Sequence, residues 1–315
     1  MKEKKPRGAT LSAMGFFERF PDEDAARIFI EQCVWEGGEP TCPNCESKRH
    51  GLWKTRKGHY RCKDCRKIYS VKNGAVFENS HIPLRSWLYA FYRLHGSRKG
   101  IPSTQLADEL GITQKSAWYL LHRIRTSCMD DRLAKLSGEV EMDATYIGGK
   151  ERNKHADKKG RRGRGPVGKQ PVLGIRDRRT GEVRAVPVDS ESALTVCAEL
   201  PARVEPGTEV ITDDHPAYRH IKEMQYSHSS VKHSVKEFVR NLVHTNGIES
   251  VWALLKRAFK GVYHHWSTKH CHRYLDELTF RLNKGGRHVG TLDFLRALCK
   301  GAIGKRLTYA SLTKG

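Results

Sequence analysis

The chain of 315 residues carries 57 Lys and Arg against 35 Asp and Glu, a formal net charge of +22, and is 38% hydrophobic. That length suits two or three domains, and a charge that large repels itself in a compact fold unless a polyanion, most commonly nucleic acid, neutralises it. A membrane role is disfavoured, because no amphipathic Lys-rich helix stands at either end and no apolar run is long enough to span a bilayer. The basic start MKEKKPRGATLS lacks the apolar segment of a secretory signal, so the protein is expected inside the cell.

In chain order, residues 1–35 are expected to form a helical segment, followed by a metal module over 36–80. CPNC at Cys42–Cys45 and CKDC at Cys62–Cys65 give C-x2-C-x16-C-x2-C. Each pair forms a tight knuckle that aims two thiolates at one point, and the gap holds one hairpin. Four thiolates close a tetrahedron that suits zinc and leaves no open position, so one structural Zn²⁺ in a zinc ribbon is expected. Lys48, Arg49, Lys54, Arg56, Lys57, Arg61, Lys63, Arg66 and Lys67 surround it. They read as a nucleic-acid contact, with a merely solvated surface as the alternative. The single cysteines, Cys33, Cys128, Cys197, Cys271 and Cys299, read as buried small apolar residues.

Residues 81–135 carry an apolar helix, IPLRSWLYAFYRLHGSRKG, and then IPSTQLADELGITQKSAWYLLHRIRTS. The second stretch resembles a helix-turn-helix. Ser103 or Thr104 caps a short helix, Gly111 makes the turn, and Thr113 caps a second helix with Ala117, Leu120, Leu121 and Ile124 inward. Its outer face then offers Gln114, Lys115, Tyr119, His122 and Arg123 to DNA. Three helices that only pack on one another are the alternative.

From residue 136 to 285 strands and helices alternate. GEVEMDATYIGG alternates as a strand, with Val140, Met142 and Ala144 on one face. PVLGIRD and EVRAVPV flank a turn at Arg178–Gly181, a hairpin signal. SESALTVCAEL reads as a helix, and GTEVITDDHPAYRHI as a strand running into a helix. HTNGIESVWALLKR opens a late amphipathic helix, with Ile248, Val251, Trp252, Leu255, Ala258 and Phe259 inward and Glu249, Lys256 and Lys260 on the opposite stripe. This α/β order is that of an RNase H-like fold. Lys150–Lys169, rich in Lys and Arg, reads as a loop that either clamps DNA phosphates or is simply solvated.

Three carboxylates stand out. Asp143 lies inside the first strand between apolar neighbours, where an acid is costly unless it binds something. Asp213 ends the apolar strand EVITD, and Glu249 sits in the first turn of the late helix; the separations are 213 − 143 = 70 and 249 − 213 = 36. In an RNase H-like fold these three converge, and two Mg²⁺ (or Mn²⁺) ions roughly 3.5–4 Å apart would neutralise them. Alternatives remain: Asp213 as a helix cap with Asp214 the important acid, Asp143 paired with an arginine, or Glu141, two residues away on the same face, in its place. A second metal site from His264, His265, His270, Cys271 and His272 is a weaker candidate.

EMDATYIGGKERNKH, VITDDHPAYRHI and HTNGIESVWALLKRAFKGVYHHWSTKHCHRYLDELTFRLN together resemble DDE-class insertion-sequence transposases, and more narrowly the IS fifteen-ninety-five family, over about residues 15–285. By that resemblance Asp143, Asp213 and Glu249 match the acidic triad, and Lys256 matches the lysine seven residues after the third acid in a DDEK pattern. One departure is Ala144, where an acid is expected after the first Asp. The resemblance implies cutting at insertion-sequence ends and joining of the 3′-OH to target DNA. It also implies Lys256 and Lys260 near DNA, a homodimer on double-stranded DNA, and a prokaryotic cytoplasm. A DNA-binding regulator with an inactive catalytic domain, or a purely hydrolytic nuclease, are the rival readings. Residues 286–315 are expected as a basic extension with one helix near Leu292–Gly301.

Overall fold

A computed structural model of the chain describes residues 8–129, 134–149, 168–231, 244–285 and 289–314. It divides into two units, Met1–Asp130 with Lys284–Gly315, and Asp131–Asn283. The basic stretch Lys150–Lys169 lies, apart from Gly168 and Lys169, outside the described residues. Among the described residues no helix is long and apolar enough to cross a membrane.

The first unit begins with α1 (Ala13–Arg19) and α2 (Glu23–Val34), the latter capped by Asp22, whose carboxylate accepts the Ala25 N–H at 2.8 Å. A three-stranded antiparallel ribbon follows, β1 (His50–Leu52), β2 (Tyr60–Cys62) and β3 (Ile68–Tyr69). Strands this short bury little, so the ribbon leans on α2: Tyr60 donates to Glu31 at 3.2 Å, and Trp35 meets the Tyr60 ring edge-on at 5.3 Å. Next come α3 (Leu84–Gly96), α4 (Ser103–Leu110) and α5 (Gln114–Cys128). Gly111 joins α4 to α5 at φ 62°, a left-handed conformation that glycine adopts without strain. Thr113 caps α5 by accepting the Ser116 N–H at 3.2 Å, as expected. Pro102, rather than Ser103 or Thr104, precedes α4, and no side chain caps it.

The carboxyl-terminal stretch is not an extension. Its α9 (Thr291–Gly301) packs on α2, α3 and α5, and Phe294, Leu295, Leu298 and Cys299 are fully buried. Those four residues repeat at helical spacing, so α9, the helix expected near Leu292–Gly301, has an apolar face that must be covered. Ala75 bridges Ile303, and α10 (Tyr309–Thr313) ends the chain. The amino-terminal segment, ribbon and helices, expected as separate domains, thus share one unit with residues from the far end. Cys33, Cys128, Cys271 and Cys299 are buried as expected, but Cys197 is exposed.

The second unit is built on a five-stranded sheet of order β6-β5-β4-β7-β8. The strands are β4 (Glu139–Ile147), β5 (Gln170–Asp177), β6 (Val183–Pro187), β7 (Glu209–Asp213) and β8 (Ser227–Val231). The first three are antiparallel, whereas β7 and β8 run parallel to β4. One face, with Val140, Met142, Leu173 and Ile175, packs on α6 (Ala193–Arg203) and on Tyr218 and Ile221 of a 3₁₀ segment, Pro216–Met224. The other face, with Ile147, Val172 and Val183, packs on α7 (Asn246–Ala258) and α8 (Cys271–Lys284). This is the RNase H-like arrangement expected from the order of elements, with β4 central. One strand, β8, was not expected, because SHSSV has no apolar run and sits at the sheet edge.

Candidate active site

Alternation along β4 puts Glu141, Asp143 and Thr145 on the face that α7 covers. Asp143 pairs across the ladder with Gly174 of β5. The missing side chain at Gly174 is what admits Trp252: a Cβ there would lie 2.3 Å from the ring's Cη2. Trp252 then donates its indole N–H to Asp143 at 2.8 Å and fixes the carboxylate. Gly174→Ala must therefore displace the ring, and we expect a loss of about 1–3 kcal/mol, the usual cost of overpacking a core; denaturant unfolding of the variant checks it.

β4 and β7 pair in parallel at Glu139–Glu209, Val140–Val210 and Glu141–Ile211. Continuing that register by two residues sets Asp143 level with Asp213, just where the ladder has stopped. The two acids thus stand on neighbouring strands just past the paired residues, Asp213 at the end of β7 and Asp143 within β4, near enough for the charge of one to bear on the other. Burial pushes Asp143 up to about 6, and the charge of Asp213 adds to it. Burial also raises Asp213; the His215 N–H, donated to its Oδ1 at 3.1 Å, pulls the other way, and the charge of Glu191 pushes up again. Asp214 is exposed. Among the described residues neither Asp143 nor Asp213 has a Lys or Arg partner, so the alternative of an arginine-paired Asp143 is not met.

Glu141 is a different kind of acid. It is 1% exposed and lies 3.4 Å from Arg178 and 3.8 Å from Arg176 and His244, and it accepts the Ile248 N–H at 2.7 Å. A carboxylate at a helix amino terminus with cationic partners is satisfied. Its work is to seat the start of α7, which carries Glu249.

Glu249 is exposed in the first turn of α7, three residues before Trp252, and accepts the Thr245 hydroxyl at 3.1 Å. Lys256 lies two turns further along the same exposed stripe, and Lys260 follows in the π-helical turn Phe259–Tyr263. Among the described residues, only the four cysteines bring three or more ligand atoms mutually within 4.8 Å. The three expected acids are therefore not closed around one point, and the histidines after residue 263 with Cys271 and His272 form no cluster of that kind.

An acid missed by the sequence reading stands nearer the aspartates. Glu191 lies in the turn before α6, and its charge is among the causes that raise Asp143 and Asp213. In sequence, DSESAL reads only as a helix start, so no signal singled it out.

Cys42, Cys45, Cys62 and Cys65 do converge, with Sγ–Sγ separations of 3.6 Å for Cys42–Cys65 and 3.5 Å for Cys45–Cys62. A tetrahedron with Zn–S bonds of about 2.3 Å has edges of about 3.8 Å. The donor set and its spacing fit a structural zinc. Beside it a cleft of about 550 Å³ is lined by Leu52, Trp53, Lys54, Arg61, Lys63 and Arg66 among others.

The outer face expected for α5 needs correction. Gln114 and Lys115 are exposed, but His122 and Arg123 are buried, at 0% and 5% exposure. Arg123 donates to the Glu78 carbonyl at 2.6 Å and lies over the Trp87 ring, and His122 meets Trp118 edge-on. Tyr119 is half-buried and donates to the Leu307 carbonyl at 2.6 Å. From Leu120 to Cys128 the helix is buried all round, because α9 and the residues after it cover the side that periodicity assigned to solvent.

Two family descriptions match the chain: an ISXO2-like transposase domain over residues 135–283 and a transposase zinc-ribbon domain over residues 21–68. A Halobacterium salinarum protein, described as an uncharacterized protein in transposable element ISH50, is 30% identical over 253 residues, 76% of this chain and 83% of that one. Solved structures similar to this chain include the catalytic core domain of BIV integrase, at 17% identity and a TM-score of 0.32 over 47% of this chain and 84% of the other. A simian T-cell lymphotropic virus intasome in complex with the PP2A regulatory subunit B56 gamma has 16% identity and a TM-score of 0.30, over 62% of this chain and 66% of the other.

Proposed function

The chain belongs to the IS fifteen-ninety-five (IS1595) family of transposases, and on that premise we propose that it cuts DNA at insertion-sequence ends and joins the freed 3′-OH to target DNA, with Asp143, Asp213 and Glu249 as the working acids. The observation that carries this reading is the aspartate pair just past the end of the β4–β7 ladder, buried in part and lacking a Lys or Arg partner among the described residues. Hard carboxylate oxygens in that state suit Mg²⁺ or Mn²⁺. When bound, such ions activate the attacking oxygen and neutralise charge on the transferring phosphoryl group.

The protein's own groups do the rest. Trp252 holds Asp143 in one orientation, and the His215 N–H holds Asp213. Glu249, one turn before Trp252, offers its carboxylate from α7, and Glu141 keeps that helix end seated. Lys256 and Lys260 meet DNA phosphates beside the scissile bond, where positive charge favours the transition state. The ribbon, with Arg61 over the Trp53 ring at 5.9 Å and lysines around it, together with Gln114 and Lys115 of the α4–α5 helix-turn-helix, binds the element's terminal repeats. Two ends must be cut together, so the working form is a homodimer on DNA.

Strand transfer from a labelled element end to a plasmid tests this, with Mg²⁺ or Mn²⁺ supplied. Asp213→Asn and Glu249→Gln are each expected to lose about a thousandfold or more, whereas Asp214→Asn keeps most of the activity. Specific DNA binding without cleavage under either metal would replace this reading with a regulator; cleavage without joining would leave a nuclease.

A further inference from the structure

We propose that Glu191 is a positioning carboxylate of this site, fixed where it strengthens divalent-ion binding at Asp143 and Asp213. The inference rests on the reading of those two residues as ion ligands. Glu191 is bound to β4, the strand that carries Asp143, and to the 3₁₀ segment that follows the strand of Asp213. Its Oε2 accepts the hydroxyl of Tyr146, three residues beyond Asp143, at 3.1 Å. Its Oε1 accepts the hydroxyl of Tyr218 at 3.1 Å and lies 3.5 Å from Nδ1 of His215, two residues beyond Asp213. His215 is also the residue whose N–H holds Asp213. One carboxylate thus links β4, the segment that follows β7 and the turn before α6, near enough to the aspartates for its charge to bear on both.

The arrangement gathers negative charge with no Lys or Arg side chain to balance it among the described residues. The Glu191 side chain is 9% exposed, and Tyr218 is buried to 1%. Among the described residues no Lys or Arg pairs with Glu191; its donors are two neutral hydroxyls, and the partly exposed His215 imidazole stands 3.5 Å away with its Nδ1 accepting the Ala217 N–H. Two more carboxylates, Asp143 and Asp213, stand near enough to feel its charge. The hydroxyls orient the group without neutralising it, which suits a charge kept for something that arrives. Because the three acids do not approach mutually within 4.8 Å, Glu191 does not close the coordination shell. It acts through its charge and through water on the ion, since Mg²⁺ sheds its waters reluctantly and keeps several.

The test is Mn²⁺ binding to the full-length, zinc-loaded protein without DNA, followed by electron paramagnetic resonance. Removing an outer acceptor of this kind costs about tenfold or more in metal affinity, so Glu191→Gln is expected to weaken Mn²⁺ binding about tenfold and Asp143→Asn to remove it. Tyr146→Phe keeps the carboxylate but releases one oxygen, and is expected to fall between wild type and Glu191→Gln. In strand transfer, Glu191→Gln should raise the Mg²⁺ concentration giving half-maximal rate more than it lowers the saturated rate, which a loss of folding would not do. Wild-type Mn²⁺ affinity in Glu191→Gln, with binding lost in Asp143→Asn, overturns the role of Glu191 alone. Equal binding in all variants, Asp143→Asn included, overturns the ion site itself.

Discussion

Asp143→Asn is expected to make the magnesium-free protein more stable while abolishing strand transfer. The buried Asp143 carboxyl is raised to about 6 from the ordinary value of 3.8, by burial first and then by the charge of Asp213. Below the ordinary value both folded and unfolded chains hold the proton, and the residue costs nothing. Between 3.8 and 6 the unfolded chain releases a proton that the fold retains, so stability falls as pH rises; above 6 the penalty is complete. At 1.36 kcal/mol per pH unit it amounts to about 3 kcal/mol at neutral pH. Asparagine removes the charge yet keeps an oxygen for the Trp252 indole. Calorimetry in magnesium-free buffer should show the variant melting several degrees higher at pH 8, the gap narrowing toward pH 5. Added Mg²⁺ should raise the wild type only, and strand transfer by the variant should fall about a thousandfold or more. A variant less stable than wild type at pH 8 would mean that the carboxylate serves the fold rather than the chemistry.

Removing zinc is expected to have the largest effect on stability, confined to the unit that holds the ribbon. Structural zinc contributes about 10–16 kcal/mol in small domains at neutral pH. The ribbon has little else: its strands are two or three residues long, and its buried side chains are mainly Cys42, Cys62, Tyr60 and Tyr69. The Cys65 N–H, donated to the Cys62 sulfur at 3.4 Å, is the first cause that lowers the Cys62 thiol to about 6. That sulfur is thus disposed to bind as thiolate. Cys62→Ser or a strong chelator should unfold the ribbon, release one zinc per chain to a colorimetric dye, and weaken binding to an element end about a hundredfold. The second unit contains no ribbon cysteine, and its own unfolding transition should stay where it was. Unchanged end binding after complete zinc release would remove the ribbon from DNA recognition.

The catalytic fold was legible where physics gives a strong local period. Val140 and Met142 alternate against Glu141 and Asp143, and the hairpin turn lies where Arg178–Gly181 put it. The apolar stripe of α7 is buried as its spacing requires. The edge strand β8 was illegible, because a polar strand paired on one side has no apolar pattern to display. Helix α5 misled for a related reason. Its period locates one buried face but cannot say that residues from the other end of the chain cover the opposite one. Glu191 was invisible because its role comes from Tyr146, His215 and Tyr218, which are distant in sequence and meet it only once the sheet has formed. Asp143 was legible for the opposite reason: an acid inside an apolar strand is conspicuous by itself.

The return of the last residues into the first unit sets an order of assembly during synthesis. Residues 131–283 are contiguous, so as the growing chain leaves the ribosome the catalytic unit has all its parts while the other still waits. The ribbon-bearing unit lacks Phe294, Leu295 and Leu298, a fully buried part of its core, until the whole of the second unit has been made. A chain stopped early would carry a sheet with its acids but only an unfinished partner unit. The order of completion therefore runs against the order of the sequence: the unit that begins first is the one whose core is completed last.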